Sequence, residues 1–311
     1  MPNLREFRDR IKSVKSTKKI TSAMKMVAAS KLRRAQRQAE SAQPYAQAMA
    51  AMLARVCAQF SEEKEGAPKL VAGTGNDDRH LLIIVTADRG LCGGFNPNVI
   101  KYTLLCIAAL EAEGKDVRLI TIGRKGHEAL RRVHKEKIVH YFDDIMGNNN
   151  IEYSMADRVT QMVLSKFDVE AFDVCTLVYN RFKSVLVQKP GEVQLIPLDL
   201  EQSGATERGT GKIEDVGVRF DQETGYFYPY SYEPSQDEIL STLLPRNVGM
   251  QIYRGLLESA VGEQAARMTS MDNATRNAGD MINDLVSRYN RARQAYITKE
   301  LIEIIAGAEA V

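Results

Sequence analysis

The chain has 311 residues, with 42 Lys and Arg against 40 Asp and Glu, and its formal net charge is +2. This balance excludes a protein that is strongly basic or acidic as a whole, and the length allows two domains or one domain with a large extension. No apolar run reaches the roughly 18 residues that a membrane-spanning helix needs. Met1 and Pro2 lead directly into a helical pattern, so no signal or transit segment is expected. The four cysteines lie far apart without CxxC spacing, which predicts reduced, buried thiols in a reducing compartment.

The first predicted element is a long helix over residues 1–57. Its apolar residues recur at alternating steps of three and four, and we call this stripe the seam. The seam consists of Leu4, Phe7, Ile11, Val14, Ala28, Leu32, Ala35, Ala39, Ala42, Ala46, Met49, Leu53 and Val56. Such heptad spacing keeps one face of a helix against a partner helix. Pro44 lies off the seam and predicts a bend or a break.

The seam is interrupted in its first half. Three of its positions there are Lys18, Thr21 and Lys25, which do not suit the core of a coiled coil. The apolar residues beside them are Ile20, Met24 and Val27. Either the contacting face of the helix rotates at this point, or these apolar residues contact something else.

The middle of the chain predicts a small α/β domain. Residues 58–79 are polar and contain glycine, which is typical of a linker. From His80 onward, short apolar runs typical of strands buried on both faces alternate with helical patterns, so we predict a mainly parallel sheet over residues 80–200. The expected strands are Leu81–Thr86, Val117–Ile122 and Asp173–Asn180, followed by a hairpin around Pro190 and Gly191.

Residues 201–242 are predicted to be an exposed insertion followed by an aromatic segment. Glycines stand among polar residues in the first part, whereas tyrosines and a phenylalanine cluster between Tyr226 and Tyr232. Such an aromatic cluster is more typical of a packed or contacting surface than of a free loop.

The last predicted element is a second long helix over residues 243–311. Its own seam runs from Met268 to Tyr296. At 1.5 Å per residue, about 65 residues make a rod of roughly 100 Å, which an ordinary domain cannot bury. We therefore predict an α/β fold with a long helical extension, in which the two terminal helices form an antiparallel coiled coil beside a Rossmann-like middle domain.

The final fifteen residues, from Ile297 to Val311, are apolar on nearly every side. A helix that is apolar all round is normally buried all round, and one partner helix cannot do this. Either this end frays, or other subunits enclose it. Just before it, Arg291, Arg293 and Gln294 offer donors suited to carboxylates on a surrounding structure.

No group of residues predicts an active site. The turn Asp88–Asn96 lies where a phosphate-binding loop would lie, but it lacks both the GxGxxG spacing and the GK[ST] ending, so a nucleotide site is only an alternative to a tight turn. The four histidines have no metal-ligand spacing, and nothing near Cys92 in the sequence supplies a base. We expect no catalytic residues, no cofactor and no metal.

The N-terminal helix is the basic part of the chain, because residues 1–40 hold twelve Lys and Arg against three Asp and Glu. A solvated face, an acidic protein partner and structured RNA would each explain this excess. Aromatic residues that could stack on bases are nearly absent from this helix, which favours the acidic protein partner. A coiled-coil adaptor that binds structured RNA is the alternative.

Six segments carry a resemblance to a known family. They are KITSAMKMVAASKLRRAQ at 19–36, TADRGLCGGFN at 86–96, GEQAARM at 262–268, MDNATRNA at 271–278, YNRARQA at 289–295 and ITKELIEIIAGAEA at 297–310. These segments resemble the gamma subunit of F-type ATP synthase, and they span both long helices and the first strand of the middle domain.

The resemblance implies a noncatalytic rotor shaft. Its coiled coil would stand inside a ring of three α and three β subunits, and its globular foot on the ring of c subunits. Rotation would couple proton flow through Fo to ATP synthesis or hydrolysis at the β sites. The implied partners are the α3β3 hexamer, the epsilon subunit and the c-ring, with one copy of the chain per complex, no nucleic acid, and membrane contact only through the c-ring. The implied location is peripheral, at the cytoplasmic face of a bacterial inner membrane.

The resemblance also implies roles for particular residues. Met24, Arg293 and Gln294 would meet catch loops of the β subunits, and Lys18 and Lys25 beside Met24 could meet the acidic groups of these loops. The bearing inside the α3β3 sleeve would include Ile297, Leu301, Ile304, Ile305 and Val311. Tyr230 and Glu233 would contact the c-ring or the epsilon subunit. Residues 201–236 contain no cysteine, so a thiol switch there is not expected.

Overall fold

A computed structural model describes residues 4–57, 68–147, 150–198 and 235–309 of the chain. The helices are α1 (Leu4–Cys57), α2 (Lys69–Ala72), α3 (Phe95–Ala112), α4 (Arg124–Leu130), α5 (Tyr153–Asp168) and α6 (Gln236–Glu309), with a 3₁₀ turn at Lys135–Lys137. The strands are β1 (Arg79–Val85), β2 (Asp116–Ile122), β3 (Ile138–Phe142), β4 (Val174–Phe182) and β5 (Gln188–Ile196). No helix in these ranges is both long enough and apolar enough to span a membrane.

The strands form one five-stranded sheet in the order β3-β2-β1-β4-β5. Strands β1 to β4 pair in parallel, and only β5 is antiparallel, against β4. This Rossmann-like domain between two long terminal helices confirms the predicted fold class.

Alternate side chains of β1 divide the core into two layers. Leu81 and Ile83 belong to a cluster that includes α5, the end of α1 and the first part of α6. Leu82 and Ile84 belong to a second cluster, built with α3 and α4. The beginning of α6 is therefore one of the helices that cover the sheet, and the same helix continues outward as the rod.

The two long helices make the largest contact between any two elements of the described chain. Helix α6 begins at Gln236, before the predicted start at Leu243, and the Ser235 hydroxyl accepts a 3.3 Å hydrogen bond from the amide of Glu238 in its first turn. Pro245 lies inside α6, which continues through it. Helix α1 likewise continues through Pro44 without a break.

The hairpin between β4 and β5 turns at residues 183–187, not at Pro190 and Gly191 as predicted. Pro190 instead lies within β5, opposite Asn180. Proline lacks an amide hydrogen, and an edge strand such as β5 tolerates this because its outer side needs no donor. Strand β3, at the opposite edge, was missed by the sequence analysis.

Candidate functional site

Beyond the α/β domain the chain forms the upper rod (residues 4–27 and 268–309). Within it, the two long helices pair in one antiparallel register. Arg8 Nε donates a 2.9 Å hydrogen bond to the hydroxyl oxygen of Tyr289. Farther along, Lys25 Nζ lies 2.5 Å from Asp272 Oδ1. Between these contacts α1 advances from 8 to 25 while α6 returns from 289 to 272, an equal step of 17 residues. The register is therefore continuous.

The polar seam positions belong to this contact. The hydroxyl oxygens of Thr275 and Thr21 are 2.8 Å apart, and Thr21 is buried. Lys18 extends over Gly279, with its Nζ 3.2 Å from the place a Cβ would take. The contacting face thus does not rotate here, which rules out one of the two interpretations of the sequence. Polar pairs replace apolar packing at these seam positions.

The apolar residues beside the polar seam positions face outward. Ile20 and Val27 are each 57% exposed, Met26 is 66% exposed, and Met24 is half-buried at the edge of the same face. Lys25 was expected to flank Met24 with a charge available to an outside partner. Instead its ammonium is paired with Asp272 across the seam. Ile20, Met26 and Val27 are therefore the exposed apolar part of this stretch, and Lys25, although 44% exposed, is engaged with α6.

Arg293 and Gln294 are exposed on α6 but lie far from Met24. Because Lys25 lies opposite Asp272, Met24 is separated from Arg293 by about 20 residues of α6, or about 30 Å along the rod. The structure does not bring the three residues together, so they are candidates for two separate contacts along the rod.

Helix α6 extends past the first described residue of α1. In the register above, Leu4 lies level with Arg293, so Ile297 and the residues after it lie beyond this point. The described residues expected in the bearing are exposed by 46% to 64%, at Ile297, Leu301, Ile304 and Ile305. Exposed apolar side chains grouped in this way mark an interaction surface.

Arg267, which forms a buried ion pair within α6, joins the rod to the α/β domain. Arg267 Nη1 lies 2.6 Å from Glu263 Oε1, one turn earlier on α6. Arg267 Nη2 donates hydrogen bonds of 3.4 and 3.3 Å to the carbonyl oxygens of Arg89 and Gly90, in the turn that follows β1. The rod is thereby fixed to the domain at the point where it leaves the sheet.

The same part of α6 fills the crevice in which open α/β sheets usually bind ligands, at the carboxyl ends of the strands where the chain direction switches. A Cβ on Gly262 would lie 3.2 Å from the ring of Phe95, at the start of α3. Ala266 packs on the cluster of Cys92 and Phe95. This occupation of the crevice argues against the nucleotide alternative at the Gly90–Gly94 turn.

Burial is the main influence on the pKa values of the ionisable groups around this turn. Burial raises the pKa of Glu263 and of the Cys92 thiol, and the charge of Arg267 opposes both shifts. A thiol with a raised pKa is a poor nucleophile, in agreement with a structural Cys92. In the described ranges no group of three or more His, Cys, Asp and Glu side chains could hold a metal ion.

The sequence placed Thr275 in the seam of the last helix, but the contacts of Glu263, Arg267, Asp272 and Thr275 were not predicted. The available signal was the spacing of four between Glu263 and Arg267, which places them on one helix face. Their partners, however, come from the turn after β1 and from α1, and no local pattern reveals such pairs. Three residues that were predicted to make contacts, Tyr230, Glu233 and Val311, lie outside the described residues.

Comparison with known proteins places these features in a family. The family model described as ATP synthase matches residues 3–311. The ATP synthase gamma chain of Paramagnetospirillum magneticum is 50% identical over the whole of both chains, and that of Acidiphilium cryptum is 51% identical over the same span.

Solved structures share the fold. A chain of the Euglena gracilis mitochondrial ATP synthase (OSCP/F1/c-ring) covers 99% of this chain and 94% of its own length, with a TM-score of 0.64 and 21% identity. A chain of the Tetrahymena thermophila mitochondrial ATP synthase central stalk and c-ring covers 82% of this chain and 99% of its own length, with a TM-score of 0.57 and 24% identity.

Proposed function

This chain belongs to the ATP synthase gamma-chain family, and we propose that it acts as the noncatalytic central stalk of an F-type ATP synthase. It rotates inside the α3β3 ring and couples proton flow through Fo to ATP synthesis or hydrolysis at the β sites. The chain contributes no active site of its own to this process.

The observation that carries this function is the continuity of α6. Its first part lies in the buried core of the α/β domain, where Leu240, Leu244 and Leu256 pack on the sheet. The same helix, without interruption, ends in the exposed apolar residues around Ile304. A torque applied to the domain is therefore transmitted along one hydrogen-bonded helix, supported by α1, to a surface that other subunits enclose.

The apolar end of α6 serves as the bearing in the α3β3 sleeve, through Ile297, Leu301, Ile304, Ile305 and Val311. Apolar side chains suit a bearing because the hydrophobic effect has no preferred direction. They hold the axis in place without hydrogen bonds that would favour one angle of rotation.

Two further surfaces contact the β catch loops. Met24, with the exposed apolar residues beside it on α1, forms one, and Arg293 with Gln294 on α6 forms the other. Tyr230 and Glu233 contact the c-ring or the epsilon subunit. One copy of the chain acts in each complex, which is peripheral to the cytoplasmic face of a bacterial inner membrane. The comparisons offer no support for the alternative of an RNA-binding adaptor.

Reconstitution tests the function. The purified chain is mixed with α and β subunits of a bacterial F1, and ATP hydrolysis is measured with each component omitted in turn. The stalk function predicts activity that depends on all three proteins and no activity of this chain alone. Hydrolysis by the isolated chain, or tight RNA binding that weakens steeply with salt, would contradict it.

A further inference from the structure

The basic first part of helix α1, residues 4–40, contains one band with a single charged residue. Between Lys19 and Lys31 the sequence is ITSAMKMVAAS, and Lys25 is its only charged residue. The band is open to solvent at Ile20, Met26 and Val27. Its exposed part, from Ile20 to Val27, thus forms an apolar patch about 10 Å long.

Lys25, in this band, forms an ion pair with a residue of the other long helix. Asp272 Oδ1 lies 2.5 Å from Lys25 Nζ, and Asp272 Oδ2 lies 2.5 Å from Arg276 Nη2. The side chain of Asp272 is the more enclosed member of its pair with Lys25, at 23% exposure against 44%. The hydrogen bond from Lys25 lowers the pKa of Asp272, so this carboxylate stays ionised at neutral pH.

We propose that Asp272 is a positioning residue that holds the Lys25 ammonium in the seam and so keeps the outer face of α1, from Ile20 to Ser30, free of charge where it meets the surrounding ring. This inference rests on the proposed function. Lysine has a flexible four-carbon stem, so without Asp272 its ammonium turns outward beside Met24. There the free charge would form directional ion pairs with any carboxylate of the surrounding ring, and such pairs would favour one rotary position over the others.

The test compares ATP-driven proton pumping with ATP hydrolysis in membranes that carry the assembled complex. Asp272→Asn is expected to lower the ratio of pumping to hydrolysis by about two- to fivefold, the range that an exposed ion pair supports. The double variant Lys25→Gln with Asp272→Asn should restore the ratio, because the freed charge is gone. If Asp272 were needed only for the packing of the seam, the double variant would be no better than the single one, and the proposal would be wrong.

Two further variants exclude other causes. Asp272→Asn also removes the partner of Arg276, so the double variant Arg276→Gln with Asp272→Asn is made in parallel. Its ratio of pumping to hydrolysis should stay as low as that of Asp272→Asn. If this double variant alone restored the ratio, the role assigned to Lys25 would be wrong. Glu111→Gln removes the partner of Lys137, 2.8 Å away in the α/β domain, and should leave the ratio unchanged.

The outcomes separate this inference from the function on which it rests. Failure of the unchanged chain to support coupled pumping would refute the stalk function itself. Normal coupling by both the unchanged chain and Asp272→Asn would refute only the role of Asp272.

Discussion

Arg267 and Glu263 form an ion pair of 2.6 Å that is almost fully enclosed, with side chains 12% and 7% exposed. Arg267 also holds the turn after β1, through the carbonyl oxygens of Arg89 and Gly90. Arg267 therefore links the ion pair of α6 to the turn that follows β1.

Replacing Arg267 with alanine should lower the free energy of unfolding by about 3–5 kcal/mol, because it leaves the carboxylate of Glu263 buried without a partner. The double variant Arg267→Ala with Glu263→Gln removes that charge and should be less destabilised. Urea denaturation followed by circular dichroism measures both. Equal losses in the two variants would show that the buried charge is not the cause.

The unfolding free energies of the same two variants should differ by an amount that depends on pH. Burial raises the pKa of Glu263 in the folded chain, so its effect on stability is most favourable below the ordinary glutamate pKa, about 4.3, and is lost as pH rises through the folded value. Without Arg267 the shift becomes larger. The difference in unfolding free energy between the single and double variants should therefore be small near pH 4.5 and grow towards pH 7. A difference that is independent of pH would contradict this assignment.

Two glycines of α6 should respond in opposite ways to alanine. A Cβ on Gly255 would lie 2.5 Å from Leu177 Cδ2 in the sheet, so Gly255→Ala should cost about 1–3 kcal/mol through overpacking. A Cβ on Gly279 meets only the mobile end of Lys18, at 3.2 Å. Gly279→Ala should be neutral or stabilise the helix by up to about 1 kcal/mol. Thermal unfolding of the two variants checks this prediction, and a similar loss in both would refute it.

Asp173 should dominate the acid sensitivity of the α/β domain. Its buried carboxylate accepts hydrogen bonds from the Arg79 side chain, at 2.8 and 3.1 Å, and from Thr74, at 2.6 Å. The bonds from Arg79 hold the pKa of Asp173 well below its usual range. This stability is present above the unfolded pKa, about 3.9, and is lost as pH falls towards the folded value. Asp173→Asn should lower stability at pH 7 and flatten its loss between pH 5 and 3; an unchanged acid slope would count against it.

Met24→Lys places a charge at the edge of the apolar band of α1. We expect proton pumping per ATP hydrolysed to fall in membranes that contain the complex, because the new ammonium would form ion pairs with carboxylates of the surrounding ring at the proposed β contact. Val169→Lys adds the same charge at an exposed apolar position of the α/β domain and serves as the control. Unchanged coupling in Met24→Lys would show that Met24 makes no such contact.

Ending the chain at Leu301 removes the last part of the proposed bearing. The described side chains there are exposed, so unfolding of the isolated chain should change little. Assembly with α and β subunits should weaken, whereas ATP hydrolysis per assembled complex should stay close to normal, because the bearing holds the axis and the push acts lower on the rod. If the shortened chain assembled normally but the complex lost its torque, the proposed role of these residues as a bearing would be wrong.

The sequence predicted the large features because each has its own local period. The heptad seam of α1 and the continuous apolar run of β1 are examples, and both agree with the structure. Strand β3 was missed because its sequence, IVHYF, is short and lies beside charged residues. The hairpin was misplaced because Pro190 and Gly191 are strong turn signals, although an edge strand accepts both.

The contacts of the candidate site were harder to predict from the sequence than the fold. The exposed apolar end around Ile304 is local to one helix, and its pattern indicated an unusual surface. The pairs of Lys25 with Asp272 and of Thr21 with Thr275 join positions about 250 residues apart. Single charges and hydroxyls carry no signal of such partners. Lys25 was therefore placed at a seam position but expected to meet an outside partner, whereas its ammonium is paired with Asp272.

Rotation of the assembled chain tests the central claim most directly. The α3β3 ring is fixed to a surface, a bead is attached to the α/β domain of this chain, and the bead is observed by microscopy after ATP is added. A rotor shaft predicts sustained turning in one direction that stops when ATP is exhausted. ATP hydrolysis by the same assembled particles, with the bead showing only Brownian motion, would contradict it.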